Sequence, residues 1–357
     1  MKIFNRYYLK ISNVNKFRIL SVIYISVFWT VMDLLIALVR NEGNDDPLKA
    51  LWVRELLIFS ISLMMGYLFV FKLKKILRNY PLWLNFFFKS MILLSSALLI
   101  TFIIQYGNSI LILHETPSEA FNHIMQYILY KNRLLQKVLY WIVIFIITQL
   151  FLIINEKYSP GVFIDILLGR YIQPKIERRI VMFMDLKDST PIAEKLGHHQ
   201  YFKFIRDFIY QVSAALIEFD GTIYQYVGDE VVASWLFKDK NTMKCMQAII
   251  QSRRNIQKRS EHFRTKYGMA PEFRAGIHLG DVTVGEIGVI KKDLAMSGDT
   301  MNTTARIRSA CTELNHDFIV SKDFIENIDL KEWQSESLGI IDLKGKGNGI
   351  ELFTLKI

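Results

Sequence analysis

Cysteine is nearly absent from this chain: there are two in 357 residues, Cys245 and Cys311. They have no CxxC spacing, so neither a disulfide framework nor a cysteine metal site is expected, and both read as buried free thiols. A secretory cleavage site is also missing. The first apolar stretch follows four basic residues (Lys2, Arg6, Lys10 and Lys16) and has a fifth, Arg18, at its start. It is long for a signal-peptide core and no small-residue site follows, so it reads as a retained span. Acidic residues are outnumbered, 34 against 44 basic, for a net charge of +10. That excess does not mark a nucleic-acid partner. Much of it flanks apolar runs, in the amino-terminal tail and in Lys72, Lys74, Lys75 and Arg78, as membrane topology determinants do.

What the chain has in abundance is apolar sequence: 51% hydrophobic residues and a mean hydropathy of +0.21. Four runs stand out, at about 17–39, 53–71, 84–104 and 138–155. Each approaches the ~20 residues that cross a ~30 Å hydrocarbon layer. The sequence therefore divides into a four-helix membrane domain over 1–158, a connector with a short amphipathic helix over 159–178, and a polar domain over 179–357. The connector's two readings, plain linker and dimerising coupling helix, stay open. The basic tail and basic second loop put both termini on the cytoplasmic side of the inner (plasma) membrane. Asp33 and Lys89 lie inside or at the edge of spans, where charge is expensive; pairing within the bundle or snorkelling to the interface would relieve it. His114 and His123 read as solvated loop residues.

The polar domain is organised around residues 180–235. An apolar run, Ile180-Val181-Met182-Phe183-Met184, ends on Asp185. Two β-rich runs then meet at Gly228-Asp229, a strong hairpin signal. Taken singly, Asp185 reads as a helix cap and Asp229 as a turn residue. Brought together by a strand end and a hairpin tip, the two carboxylates would repel and need a cation. Oxygen ligands with positions left open for phosphate oxygens point to Mg²⁺ or Mn²⁺ and to phosphoryl or nucleotidyl chemistry. The spacing predicts helices over 200–219 and 241–266 and a strand over 272–279, with Gly280, Gly285 and Gly288 as breaks. Asp299 or Thr300 is the expected N-cap of the helix carrying Asn302 and Arg306. Those two residues are four apart, so they share a face suited to a ribose oxygen and a phosphate. Lys344, beside Gly345, suits a phosphate but is equally a turn. The order β-α-β-β-α-β implies a ferredoxin-like α+β fold.

With these pieces in order, residues from about 179 to 357 resemble the catalytic domain of class III nucleotidyl cyclases, the adenylate and guanylate cyclases. The resemblance is carried by Phe183-Met184-Asp185-Leu186 with Thr190, Val227-Gly228-Asp229-Glu230, Gly276-Ile277-His278-Leu279-Gly280, Gly298-Asp299-Thr300-Met301-Asn302 with Ala305-Arg306, and Leu343-Lys344-Gly345-Lys346. Each is weak alone; five in sequence are a strong signal. The apolar half is similar to the four-helix anchors of membrane-bound bacterial members. The resemblance implies two metal ions per active site held by Asp185, Asp229 and the Leu186 carbonyl. It implies a phosphate cradle from Leu186 to Thr190, with Gly228 among the substrate-binding residues and Lys344 on the terminal phosphates. Asn302 would orient the ribose and Arg306 would stabilise charge at the α-phosphate. It also implies a homodimer, because the family's sites combine the metal aspartates of one chain with the asparagine and arginine of the other.

The base-reading positions depart from the family. Gln225 stands where adenylate cyclases usually carry lysine, Ala295 where they carry aspartate or threonine, and the guanine-reading pair of glutamate and cysteine is absent. A glutamine amide donates and accepts, so it serves either purine. The expected activity is a membrane-anchored adenylate cyclase acting on ATP. The alternatives are a guanylate cyclase acting on GTP and a catalytically silent dimerising or nucleotide-sensing module.

Overall fold

The computed structural model of the chain describes residues 12–40, 47–73, 76–77, 80–111, 114–130, 133–157, 162–238, 241–290, 292–327, 334–343, 346 and 349–356. Lys344, Gly345 and Gly347, the basic tail before residue 12 and the Ser159-Pro160-Gly161 break lie outside them. The chain forms two compact units, one over 15–157 and one built chiefly from 158–357.

The first unit is helical: α1 (Asn13–Arg40), α2 (Pro47–Tyr67) with a π-helical turn at Leu68–Leu73, α3 (Leu82–Leu111), α4 (Pro117–Tyr130) and α5 (Arg133–Lys157). Among the described residues, four helices are long and apolar enough to cross a membrane: Asn13–Ala37, Arg54–Leu73, Leu82–Leu99 and Val138–Asn155. Trp29, Phe69, Leu93, Trp141 and Phe145 fill the space between them. The two charges expected to need relief have partners. Asp33 pairs with Arg54 of α2 at 2.7 Å, and Lys89 Nζ donates to Gln149 Oε1 at 3.3 Å.

The second unit begins with a short helix, α6 (Val162–Leu167), and then a long strand, β1 (Lys175–Leu186). The charged stretch 175–179, which reads as connector from composition, is the solvent-side start of that strand; Arg179 and Glu177 neutralise one another there at 2.7 Å. The chain continues through α7 (Ser189–Glu218), β2 (Thr222–Val227), β3 (Glu230–Leu236), α8 (Asn241–Lys258), α9 (Ser260–Tyr267) and β4 (Phe273–Ile287). It ends with β5 (Asp293–Ser297), α10 (Asp299–Glu313), β6 (Phe318–Ser321), α11 (Lys322–Ile325), β7 (Gln334–Ile341) and β8 (Ile350–Lys356). The sheet runs β2-β3-β1-β4-β6-β8-β7, with β5 paired to β4. The stretch β2-β3-β1-β4 is the ferredoxin-like order, and β6, β8 and β7 extend it.

Strand periodicity explains the layering. Ile180, Met182, Met184 and Leu186 alternate onto the face that α7 and α8 cover with Phe204, Phe208, Val212, Met246 and Ile249. Val181 and Asp185 therefore project to the opposite face. Gly276 explains how α10 reaches that face. A β-carbon there would lie 2.4 Å from the backbone nitrogen of Arg308, so only glycine lets β4 approach α10 so closely. Both cysteines are buried, Cys245 under α7 and Cys311 between α10 and the sheet.

Four boundaries differ from those expected. Helix α7 starts at Ser189 rather than 200, with its helical geometry interrupted at Gly197 (φ 68°). The second polar helix is two, divided at Arg259. Strand β4 runs to Ile287 because Gly280 and Gly285 permit close contacts rather than breaking the chain. A β-carbon at Gly280 would sit 2.5 Å from Thr300 Oγ1, and one at Gly285 would sit 3.2 Å from Pro174. The N-cap of α10 is Gly298, without a side-chain cap; Thr300 instead donates to the Asp281 carbonyl at 2.6 Å.

Candidate active site

Asp185 is the penultimate residue of β1, and Asp229 follows Gly228 (φ 62°) in the two-residue turn between β2 and β3. The register Met184↔Val231 between β1 and β3 carries the hairpin tip to the end of β1. The two carboxyls are close enough for the charge of Asp229 to act on Asp185. Burial comes first in pushing the Asp185 carboxyl up to about 6; Asp229 and Glu230 push the same way and Arg308 pulls against them. Asp229 Oδ2 is buried and accepts no hydrogen bond among the described residues. A buried carboxylate oxygen without a donor, beside a second carboxylate whose charge is disfavoured, is what a bound cation would satisfy. The donors are hard oxygens, so the residues present fit Mg²⁺ or Mn²⁺.

Three residues at this centre have no role assigned from the sequence. Arg308 lies in α10, with Nη1 3.2 Å from Asp185 Oδ2 and Nε donating to Glu230 Oε2 at 2.8 Å. Glu230 is buried, which comes first in raising its carboxyl, while Arg308 opposes the shift. Tyr201 of α7 is a third neighbour. Burial raises its phenol most, followed by Asp229, while a hydrogen bond with Ser189 works the other way. Glu230 was visible as the neighbour of Asp229. Nothing in the spacing marks Tyr201, and Arg308 shows only as a second arginine two positions after Arg306.

The remaining expected site residues are distributed as follows. Leu186 ends β1 with its side chain buried, and Thr190 is exposed in the first turn of α7. Gln225 is exposed on β2 beside a bulge, Gly228 is in the hairpin turn, and Ala295 is half-buried on β5. Asn302 is exposed and Arg306 half-buried on α10. Within one chain the charge of Arg308, two residues on, pulls the Asp185 carboxyl down. Asp188 is exposed, in a left-handed conformation (φ 55°). Asp299 pairs with Lys346 at 2.6 Å.

Residues 172–356 match the family described as the adenylate and guanylate cyclase catalytic domain. "Adenylate cyclase 2" of Rhizobium meliloti (strain 1021) is 29% identical over 204 residues, 57% of this chain and 56% of the relative. "Adenylate cyclase" of Anabaena cylindrica is 26% identical over 216 residues, 56% of this chain and 42% of the relative. The chain thus spans about half the length of these curated relatives. A solved structure of a bacterial light-regulated adenylyl cyclase shares the fold, with a TM-score of 0.54 at 18% identity, covering 64% of this chain and 67% of that one. A match over more than half the chain, on the domain that brings Asp185 and Asp229 together, makes this protein a member of the adenylate and guanylate cyclase catalytic domain family.

Proposed function

We propose that the protein is a membrane-anchored adenylate cyclase that converts ATP to 3′,5′-cyclic AMP and pyrophosphate. The observation that carries this reading is the closeness of Asp185 to Asp229, whose Oδ2 is buried without a donor among the described residues. The choice of ATP is supported by the two adenylate cyclases above, and by the absence of the glutamate and cysteine pair that reads guanine.

In this reading Asp185, Asp229 and the Leu186 carbonyl hold two divalent ions. Bound there, the ions would supply Lewis-acid stabilisation of charge on the ribose hydroxyl and the phosphates. The backbone between Leu186 and Thr190, at the start of α7, cradles the β- and γ-phosphates. Asn302 orients the ribose so that its 3′-oxygen faces the α-phosphorus. Arg306 holds the charge that develops as pyrophosphate leaves, and Lys344 contacts the terminal phosphates. The chain's part is positioning and electrostatics, as in phosphoryl transfer generally.

The site is completed by a second copy of the chain. Exposed apolar side chains at the hairpin, at the end of β4 and just after it, Tyr226, Val227, Ile287, Val289 and Ile290, supply surface for such an interface. The four apolar helices anchor the domain in the inner membrane, with both termini cytoplasmic by the positive-inside rule.

The test is turnover of ATP and GTP by the purified full chain with Mn²⁺. Cyclic AMP as the dominant product is the expected result. Cyclic GMP in its place would make the protein a guanylate cyclase. No cyclic product from either would leave a silent dimerising or nucleotide-sensing module.

A further inference from the structure

Three carboxylates and one guanidinium meet at the end of β1. Arg308 bridges two of the carboxylates, with Nε on Glu230 at 2.8 Å and Nη1 on Asp185 at 3.2 Å. The third, Asp229, keeps a buried oxygen without a donor among the described residues. The arginine is not a loose surface side chain. Its side chain is 28% exposed, and its backbone rests on Gly276. Its ion pairs join side chains that are 22% and 12% exposed, where solvent screening is reduced. Counted as formal charges, the cluster carries two surplus negatives, which is the charge of one divalent ion.

We infer that Arg308 is a resident counter-cation of the metal site: held by Glu230, it covers Asp185 Oδ2 in the metal-free chain and yields that oxygen when a divalent ion enters. This rests on the metal-binding reading of Asp185 and Asp229 given above. Two effects of Arg308 oppose each other. Its ion pair orders Asp185, which favours coordination, while its charge repels the entering ion. A fixed guanidinium beside a divalent ion in a half-buried site interacts more strongly than the ordering of one short side chain, so repulsion wins. Glu230 works the other way, because it both anchors the guanidinium and offsets its charge. Arg308 is therefore a positioning and affinity-setting residue whose charge keeps the site's hold on metal weak.

The experiment is Mn²⁺ titration of the full chain in lipid nanodiscs without nucleotide, followed by the electron paramagnetic resonance signal of free Mn²⁺. Thermal unfolding of each variant checks that it is folded. Arg308→Gln is expected to bind Mn²⁺ about tenfold more tightly, Arg308→Lys close to wild type, and Glu230→Gln more weakly. A merely structural role would weaken binding in Arg308→Gln and Glu230→Gln alike. Unchanged or weaker binding in Arg308→Gln, or equal tightening in Arg308→Lys, overturns the inference. Wild-type binding that survives the combined Asp185→Asn and Asp229→Asn change would instead overturn the metal-site reading on which it rests.

Discussion

Gly276 of β4 lies against the backbone of Arg308 in α10, so close that a β-carbon would fall 2.4 Å from the arginine nitrogen and 2.7 Å from its Cα. Both sides of the contact are backbone, so no side chain can swing away. Gly276→Ala is expected to cost about 1–3 kcal/mol and to move α10 away from the sheet. Chemical denaturation of the full chain would show it as a lowered midpoint for the carboxy-terminal unit. An unchanged midpoint would mean that α10 is free to lift from β4.

Asp185→Ala should leave the fold intact and remove turnover. The side chain lies on the α10 face of β1, away from Met182, Met184 and Leu186, which hold the core of the α7 face. The loss should be about 10²–10³-fold, since the residue acts on charge that develops during reaction. Comparing cyclic AMP formation with far-ultraviolet circular dichroism separates the two effects. Wild-type turnover in this variant would remove Asp185 from the metal site.

Mixing chains that carry Asp229→Ala with chains that carry Arg306→Ala should restore activity. Each heterodimer would have one site with both defects and one with neither. Recovery toward a quarter of the wild-type rate is expected at equal mixing: about half of the dimers are mixed and each has one of two sites intact. Recovery no greater than the sum of the two variants would place both residues in the same chain's site.

The raised Asp185 carboxyl predicts an inverted pH dependence for metal-free protein. Its folded value, about 6, exceeds the usual 3.8, so the folded chain binds the proton more tightly than the unfolded chain does. Stability from this group is then present at low pH and lost as pH rises from about 4 through about 6. Asp185→Asn should therefore be the more stable protein above pH 6, and the difference should shrink on acidification. Saturating Mn²⁺ should remove the wild type's disadvantage, because the ion compensates the ionised carboxylate. Melting temperatures of both proteins from pH 4 to pH 8, with and without Mn²⁺, would show the trend.

Much of this was legible in the residues. The alternation around Met182 and Met184 and the Gly228-Asp229 turn are local signals, and they yielded β1, the hairpin and the meeting of Asp185 with Asp229. The apolar runs yielded the four long helices for the same reason. What local pattern could not give was depth and neighbourhood. Gly280 and Gly285 read as breaks because a glycine that allows close approach looks the same in sequence as one that ends a strand. Arg308 carries no local signal because its contacts, Asp185 and Glu230, are 123 and 78 residues away and reach it only through the β1–β4 pairing. Lys344 lies outside the described residues, so its role rests on the family resemblance alone.

The concealment of the two thiols has a practical corollary. Burial pushes Cys311 up to about 12 and Cys245 well above the ordinary thiol range, so neither presents a reactive thiolate near neutral pH. A cysteine engineered at Tyr226 or Ile290 would be the lone site open to a maleimide or a bifunctional crosslinker. Paired spin labels at such positions could then report how two catalytic domains approach one another in a lipid environment, with the wild-type sulfurs left in place.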